Sequence, residues 1–353
     1  MKAPIFVVGA PRSGTTMLAA MLSSHPELAA GPETQFFSKL PLDSLQLAAS
    51  DEDWPLTATE MLMRLTLADQ PVAELFETSE EQIEQYLEDR EPGVAAMLEA
   101  LTEPYAKARG ATRWVEKTPN HIQNLPVLRQ LWPDSSILRI IRDPRDVGLS
   151  TRKLPTFSNE ILPNIYLWQS WNAGAEEFIA SDERSMTVRY EDLVDDPEAH
   201  LRQVCDLIEV EFDPAMIAFS GAAADVSSAN ETWKTQVSSG LTSSRKFAWK
   251  TDLPPEWRAV CDLVCHELLV AHGYEAGPAP VETRTAFRMS RDYIEAQQDA
   301  LRSQAERGLR WMPSHDPATA DRIVDHPEYS RFRNPVTLAR LALGQAAAKR
   351  ERV

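Results

Sequence analysis

Near the start of the chain, Gly9-Ala10-Pro11-Arg12-Ser13-Gly14-Thr15-Thr16 gathers residue types suited to holding an anion. Two glycines bracket the loop, so its backbone can curl with N–H groups turned inward; Arg12 adds a cation, and Ser13, Thr15 and Thr16 add hydroxyl groups. Arg142 and Ser150 supply a guanidinium and a hydroxyl at a spacing that lets both reach one phosphate. Two more groups stand apart in the sequence: Glu33 in the turn Gly31-Pro32-Glu33-Thr34, and Lys117 in Glu116-Lys117-Thr118-Pro119. Proton transfer to a side chain admits a carboxylate or an imidazole, so Glu33 and His121 are both candidate bases.

These residues need elements to carry them. Ile5-Phe6-Val7-Val8 is a short apolar run that reads as a buried strand, and Thr15-Thr16 opens a helix through Met17–Leu22 whose positive end faces the loop. The pattern repeats at Arg113–Glu116, where a strand ends at Lys117, and at Ser136–Ile141, where a strand feeds Arg142 and Pro144 suits the first turn of a helix beginning at Asp143. Met186–Arg189 is a further strand running into Tyr190, and Asp196-Pro197 starts another helix. Repeated strand, turn and helix predict an α/β fold, a P-loop-like parallel sheet flanked by helices. Residues from about 50 to 110 show helical spacing, with Val94, Met97, Leu98, Leu101 and Tyr105 on one face, and predict a helical insertion. Asn230 to Trp257 reads as a polar loop that carries Ser244 and Arg245, before a helix that holds Cys261 and Cys265. At Gly277-Pro278-Ala279-Pro280 the character changes, which divides the chain into an α/β domain over 1–276 and a helical C-terminal extension over 277–353.

Composition narrows the function classes. The chain carries 36 Lys and Arg against 53 Asp and Glu, a formal charge of −17, which argues against a nucleic-acid partner. No apolar run approaches the roughly twenty residues of a membrane helix, and no signal peptide is evident, so a cytoplasmic protein is expected. Three cysteines are too few for a disulfide framework or a four-ligand zinc site; Cys261 and Cys265 lie one helical turn apart in an apolar pattern and are expected to pack as small hydrophobes. His25, beside Pro26 at the end of the first helix, takes a structural role.

The loop follows the pattern G-x-x-x-x-G-K-[ST] except that Thr15 stands in the lysine position. Pro11-Arg12-Ser13-Gly14-Thr15-Thr16 resembles the 5′-phosphosulfate loop of sulfotransferases that use 3′-phosphoadenosine-5′-phosphosulfate (PAPS), in the branch that includes tyrosylprotein sulfotransferases. Arg142 through Ser150 resembles the element of that family that holds the 3′-phosphate, and Arg189-Tyr190-Glu191-Asp192-Leu193 resembles the strand whose tyrosine lies near the adenine. Gly31-Pro32-Glu33-Thr34 is similar to a Gly-Glu-Glu-Thr turn whose second glutamate serves as base, with Pro32 departing from the pattern, and Glu116-Lys117-Thr118-Pro119 is similar to Asn-Lys-Asp-Pro. The resemblance covers roughly residues 4 to 257.

The resemblance implies sulfuryl transfer from PAPS to a hydroxyl or amine, leaving adenosine 3′,5′-bisphosphate, with no metal. Glu33 would be the base in preference to His121. Arg12 and Lys117 would stabilise the leaving oxygen. Ser13, Gly14, Thr15, Thr16, Arg142, Ser150, Tyr190, Ser244 and Arg245 would join Arg12 in holding the cofactor. The acceptor is left open, as is a homo-oligomer formed through the C-terminal helices. Two other readings compete. A P-loop small-molecule kinase needs Lys at position 15 and a clean acidic strand end, and a non-catalytic nucleotide-binding scaffold has no use for Glu33 together with Lys117.

Overall fold

A computed structural model describes residues 1–152, Leu154, Phe157, 161–223, 225–228, 230–231 and 246–277. The chain opens with β1 (Ile5–Val8), α1 (Thr15–Ser23) and β2 (Leu28–Ala30). Helices α2 (Phe36–Lys39), α3 (Leu42–Ala49) and α4 (Leu56–Met63) follow. A hairpin of β3 (Thr66–Leu67) and β4 (Gln70–Pro71) precedes α5 (Val72–Leu75), α6 (Glu80–Glu88) and α7 (Val94–Ala108). Strand β5 (Arg113–Glu116) passes through a 3-10 turn (Pro119–Asn124) into α8 (Leu125–Leu131), and β6 (Ser136–Ile141) precedes α9 (Pro144–Thr151). Next come α10 (Ile161–Ser181), β7 (Ser185–Arg189), α11 (Tyr190–Asp195) and α12 (Pro197–Ile208). The described chain closes with α13 (Trp249–Asp252) and α14 (Pro255–Ala271).

Two compact units result: residues Met1–Arg142 with Ala175–Lys246, and Asp143–Gly174 with the segment from Phe247. The first holds a five-stranded sheet in the order β2-β5-β1-β6-β7, every pairing parallel. Covering both faces of a parallel sheet requires strands that are apolar throughout, and all four residues of β1 are buried. Alternation sends them to opposite sides. Ile5 and Val7 join Leu18, Met21 and Leu22 of α1 and Leu201 and Val204 of α12 in one cluster. Phe6 faces the other way, against Trp114 at 5.6 Å and Trp132 at 5.1 Å between ring centroids.

The insertion is helical as the spacing predicts, and Val94, Met97, Leu98, Leu101 and Tyr105 are all buried. It also contains a feature that helical spacing does not reveal, the β3–β4 hairpin. Ala68 and Asp69 at its tip have φ of 47° and 64°, both left-handed, which is the backbone a two-residue hairpin turn requires. Asn230 Nδ2 donates to Ala68 O at 2.9 Å, and Ser228 Oγ to Gln70 Oε1, so the hairpin grips a later stretch of chain.

In the second unit, Asp143 caps α9 by accepting the Arg145 N–H at 2.9 Å, with Pro144 in the first turn as expected. Arg145 is buried: its guanidinium forks onto Asp143 at 2.9 and 2.7 Å, reaches Asp262 Oδ1 at 3.3 Å and stacks over Trp249 at 3.6 Å. Burial alone would lower its pKa; the Asp143 hydrogen bonds and charge outweigh that and hold it above the usual value. Asp146 accepts N–H groups from Phe247 at 2.7 Å and Trp249 at 2.9 Å, so part of the stretch expected to be a polar loop is instead helix α13, tied to α9. Cys261 and Cys265 are fully buried on α14, and burial pushes both thiols well above their usual pKa. Among the described residues no group of three or more His, Cys, Asp and Glu could hold a metal ion, and no helix is long and apolar enough to cross a membrane. Of the proposed extension over 277–353, all but Gly277 lies outside the described residues.

Candidate active site at the strand ends

Each strand of the parallel sheet ends where a candidate residue begins. After β1 comes the Gly9–Thr16 loop; after β2, Glu33; after β5, Lys117; after β6, Arg142; after β7, Tyr190. In open parallel sheets ligands bind outside the carboxyl ends of the strands, and five segments far apart in sequence converge there.

The loop after β1 is tightly built. A Cβ on Gly9 would lie 2.5 Å from Ile140 O, and one on Gly14, at φ 105°, would lie 2.7 Å from the Tyr190 ring. Neither position tolerates a side chain. Arg12 takes a left-handed φ of 68°, and Ser13 Oγ is buried without a hydrogen-bond partner. No side chain caps α1, whose first-turn N–H groups lack intrahelical partners. A buried hydroxyl with nothing to bond, next to open N–H groups and an arginine, is chemistry that an oxyanion completes. Arg142 Nη1 donates to Arg12 O at 3.3 Å and its guanidinium lies 4.5 Å from the centroid of the Tyr190 ring, so Arg12, Arg142, Tyr190 and Gly14 form one cluster.

The second cluster joins the turns after β2 and β5. Lys117, fully buried, donates from Nζ to Glu33 Oε1 at 3.0 Å. Gln35 Nε2 donates to the other oxygen, Glu33 Oε2, at 2.6 Å. Behind them is Glu116, 1 % exposed, which accepts Thr34 Oγ1 at 2.8 Å, Thr118 Oγ1 at 2.6 Å, Thr118 N at 3.2 Å and His121 Nδ1 at 2.8 Å. Burial pushes the Glu116 carboxyl up, but His121 and these donors outweigh it and hold the pKa below its ordinary 4.5. His121 Nε2 accepts the Phe37 N–H at 3.3 Å, so Nδ1 carries the proton that Glu116 receives. Both imidazole nitrogens are thereby engaged in holding two turns together, and His121 is wholly buried. The two clusters are linked by the main chain: Gly9 N donates to Pro119 O at 3.3 Å.

Of the sequence candidates, the first unit brings together Arg12, Ser13, Gly14, Thr15, Thr16, Glu33, Lys117, Arg142 and Tyr190 around the strand ends. Ser150 lies in the last turn of α9, in the second unit. Ser244 and Arg245 lie outside the described residues. Gln35, Glu116 and Thr118 carry contacts that sequence patterns do not mark. Glu116 is the closest to legible, since strand alternation puts it on the face of the buried Trp114. His25 has the structural place expected of it, with Nε2 against Glu211 O at 2.8 Å and Nδ1 accepting the Glu27 N–H at 3.1 Å.

The family profile described as the sulfotransferase family matches residues 4–214, which include the loop, both turns, Arg142, Ser150 and Tyr190. The chain belongs to the sulfotransferase family. Among curated sulfotransferase relatives, protein-tyrosine sulfotransferase A of Caenorhabditis elegans is 24% identical over 78% of this chain and 68% of its own length. Nodulation protein NoeE of Sinorhizobium fredii is 25% identical over 76% of this chain and 65% of its own. The chain thus spans about two thirds of these relatives, and 39% of the protein-tyrosine sulfotransferase of Drosophila melanogaster. A solved sulfotransferase domain from the curacin biosynthetic pathway aligns with a TM-score of 0.54 at 21% identity, covering 78% of this chain and 99% of that one. The fold is the α/β fold of sulfotransferases.

Proposed function

We propose that the chain transfers a sulfuryl group from PAPS to a hydroxyl or amine, with Glu33 as the base. The observation that carries this reading is the pairing of a buried lysine with a carboxylate, Lys117 with Glu33 at 3.0 Å, on a turn hydrogen-bonded to the anion loop. The loop fits the donor's charged end: Ser13 Oγ is an unmatched buried donor, and Arg12 and the α1 N–H groups add positive character. PAPS supplies the sulfuryl group, whose bond to the phosphate oxygen breaks as the bond from sulfur to the acceptor forms. Glu33 takes the acceptor's proton. Lys117 and Arg12 offset the negative charge that builds on the leaving phosphate oxygen, which needs no metal ion for a group of this charge. Arg142 is assigned the 3′-phosphate and Tyr190 the adenine side; the family resemblance adds Ser150 to the first role and Ser244 and Arg245 to cofactor contacts.

Glu33 is favoured over His121 because a neutral imidazole has a single acceptor nitrogen and that of His121 already takes the Phe37 N–H, whereas a carboxylate bonded by Lys117 and Gln35 has further lone pairs to take a proton. Of the two relatives' names, one specifies an acceptor, a protein tyrosine.

The test is calorimetric titration with adenosine 3′,5′-bisphosphate and with ADP, each with and without Mg²⁺, on the wild type and Arg142→Ala. Metal-independent binding of the bisphosphate, weakened tenfold or more in the variant, is expected; each tenfold is about 1.4 kcal/mol. Preference for ADP with Mg²⁺ would overturn the reading in favour of a kinase. Glu33→Gln is expected to abolish release of the bisphosphate from PAPS across a panel of hydroxyl and amine acceptors while bisphosphate affinity persists.

A further inference from the structure

Lys117 and Gln35 hold Glu33 from two sides, and of these two Lys117 is the residue type that the chemistry requires. Lys117 on Oε1 has an obvious electrostatic reason to be there. Gln35 on Oε2 does not, yet the contact is short, 2.6 Å, and the chain goes out of its way to make it. Gln35 has a φ of 56°, a left-handed conformation that a side-chain-bearing residue holds only where its surroundings enforce it. Its own N–H is tied to Thr118 Oγ1 at 3.3 Å, and Thr118 Oγ1 in turn donates to Glu116 at 2.6 Å. The buried Glu116 network therefore keeps the Gln35 backbone in its unusual turn. Opposite a carboxylate, the amide presents NH₂ and not its oxygen, so the donor assignment follows from chemistry.

We infer that Gln35 is the positioning residue of the base: it fixes the rotation of the Glu33 carboxylate through Oε2 and favours its charged form, directing Oε1 to the Lys117 side where proton transfer takes place. The inference rests on the reading of Glu33 as base, and it concerns a residue that neither the anion loop nor the strand-end lysine accounts for. A hydrogen bond to the ionised form of a carboxylate favours that form, so removing it makes Glu33 take up a proton at higher pH. A residue retained only for its turn would behave otherwise. Glycine at position 35 keeps the N–H to Thr118 and adopts φ of 56° freely, so Gln35→Gly removes the amide while relaxing the backbone.

The experiment is a pH titration of the side-chain carboxyl carbon of Glu33 by NMR in protein labelled with ¹³C at glutamate, the resonance assigned by its loss in Glu33→Gln. Wild type, Gln35→Gly and Gln35→Met are compared, together with their melting temperatures. The expected result is a titration midpoint raised by about half to one pH unit in both variants, with Gln35→Gly melting at or above the wild-type temperature. An unchanged midpoint in folded variants overturns the inference. So does a Gln35→Gly protein that melts well below wild type, since Gln35 would then serve the fold and not the carboxylate. Failure of the base reading looks different. In that case Glu33→Gln keeps turning over PAPS while the midpoint still moves in the Gln35 variants.

Discussion

At the scale of single residues, the buried anion Glu116 has the most to lose. Its carboxylate receives four donors and is almost wholly removed from water, so deleting its charge leaves Thr34, Thr118 and His121 short of an acceptor. Glu116→Gln is expected to cost about 1–3 kcal/mol of stability, measured by urea unfolding at neutral pH. Because the folded pKa lies below the ordinary 4.5, this group's contribution is fully present above that value and is lost as pH falls through the folded pKa. The wild type should therefore lose stability more steeply than Glu116→Gln below about pH 4.5, and parallel acid slopes would show that Glu116 is not the titrating group. Residue types, spacing and the family resemblance marked Arg12, Glu33, Lys117 and Arg142 as candidates, because anion chemistry needs cations and glycines in recognisable turns, and all four stand just past strand ends. Gln35 was not legible. Its importance comes from a left-handed φ and from a neighbour 83 positions away on another strand end, and neither leaves a local mark.

At the scale of elements, the strand–turn–helix units read well because two periodicities and a few cap residues define them. Asp143 with Pro144 and Asp196 with Pro197 stand at the helix starts as their types require. The β3–β4 hairpin escaped because each strand is two residues long and its turn uses Ala68 and Asp69 where sequence rules look for Asn-Gly. Helix α13 escaped because what fixes it is distant: both oxygens of Asp146 accept N–H groups at its start. Asp146→Ala should lower stability by about 1–3 kcal/mol through those two unpaired donors. Hydrogen exchange at the Phe247 and Trp249 amides should lose protection in the variant, and unchanged protection would mean that Asp146 does not anchor the helix.

At the scale of the whole molecule, charge dominates. A formal charge of −17 repels itself, and surface pairs such as Lys2 with Glu27 and Arg202 with Glu198 are exposed and contribute little. Raising ionic strength from about 0.01 M to about 0.15 M shortens the screening length from about 30 to about 8 Å, so the melting temperature should rise by about 2 °C or more. A fall on adding salt would show that local pairs outweigh the overall repulsion. The strand ends carry a different consequence. No contiguous stretch of this chain contains the proposed site, since the anion loop, Glu33, Lys117, Arg142 and Tyr190 each follow a different strand, and Tyr190 follows the edge strand β7. Such long-range pairings are the slow ones to form. A half-assembled sheet presents scattered cations and no cradle, so the affinity for an anionic donor that the proposed function requires would be a property of the finished topology, and its appearance during refolding would time the docking of that last edge strand.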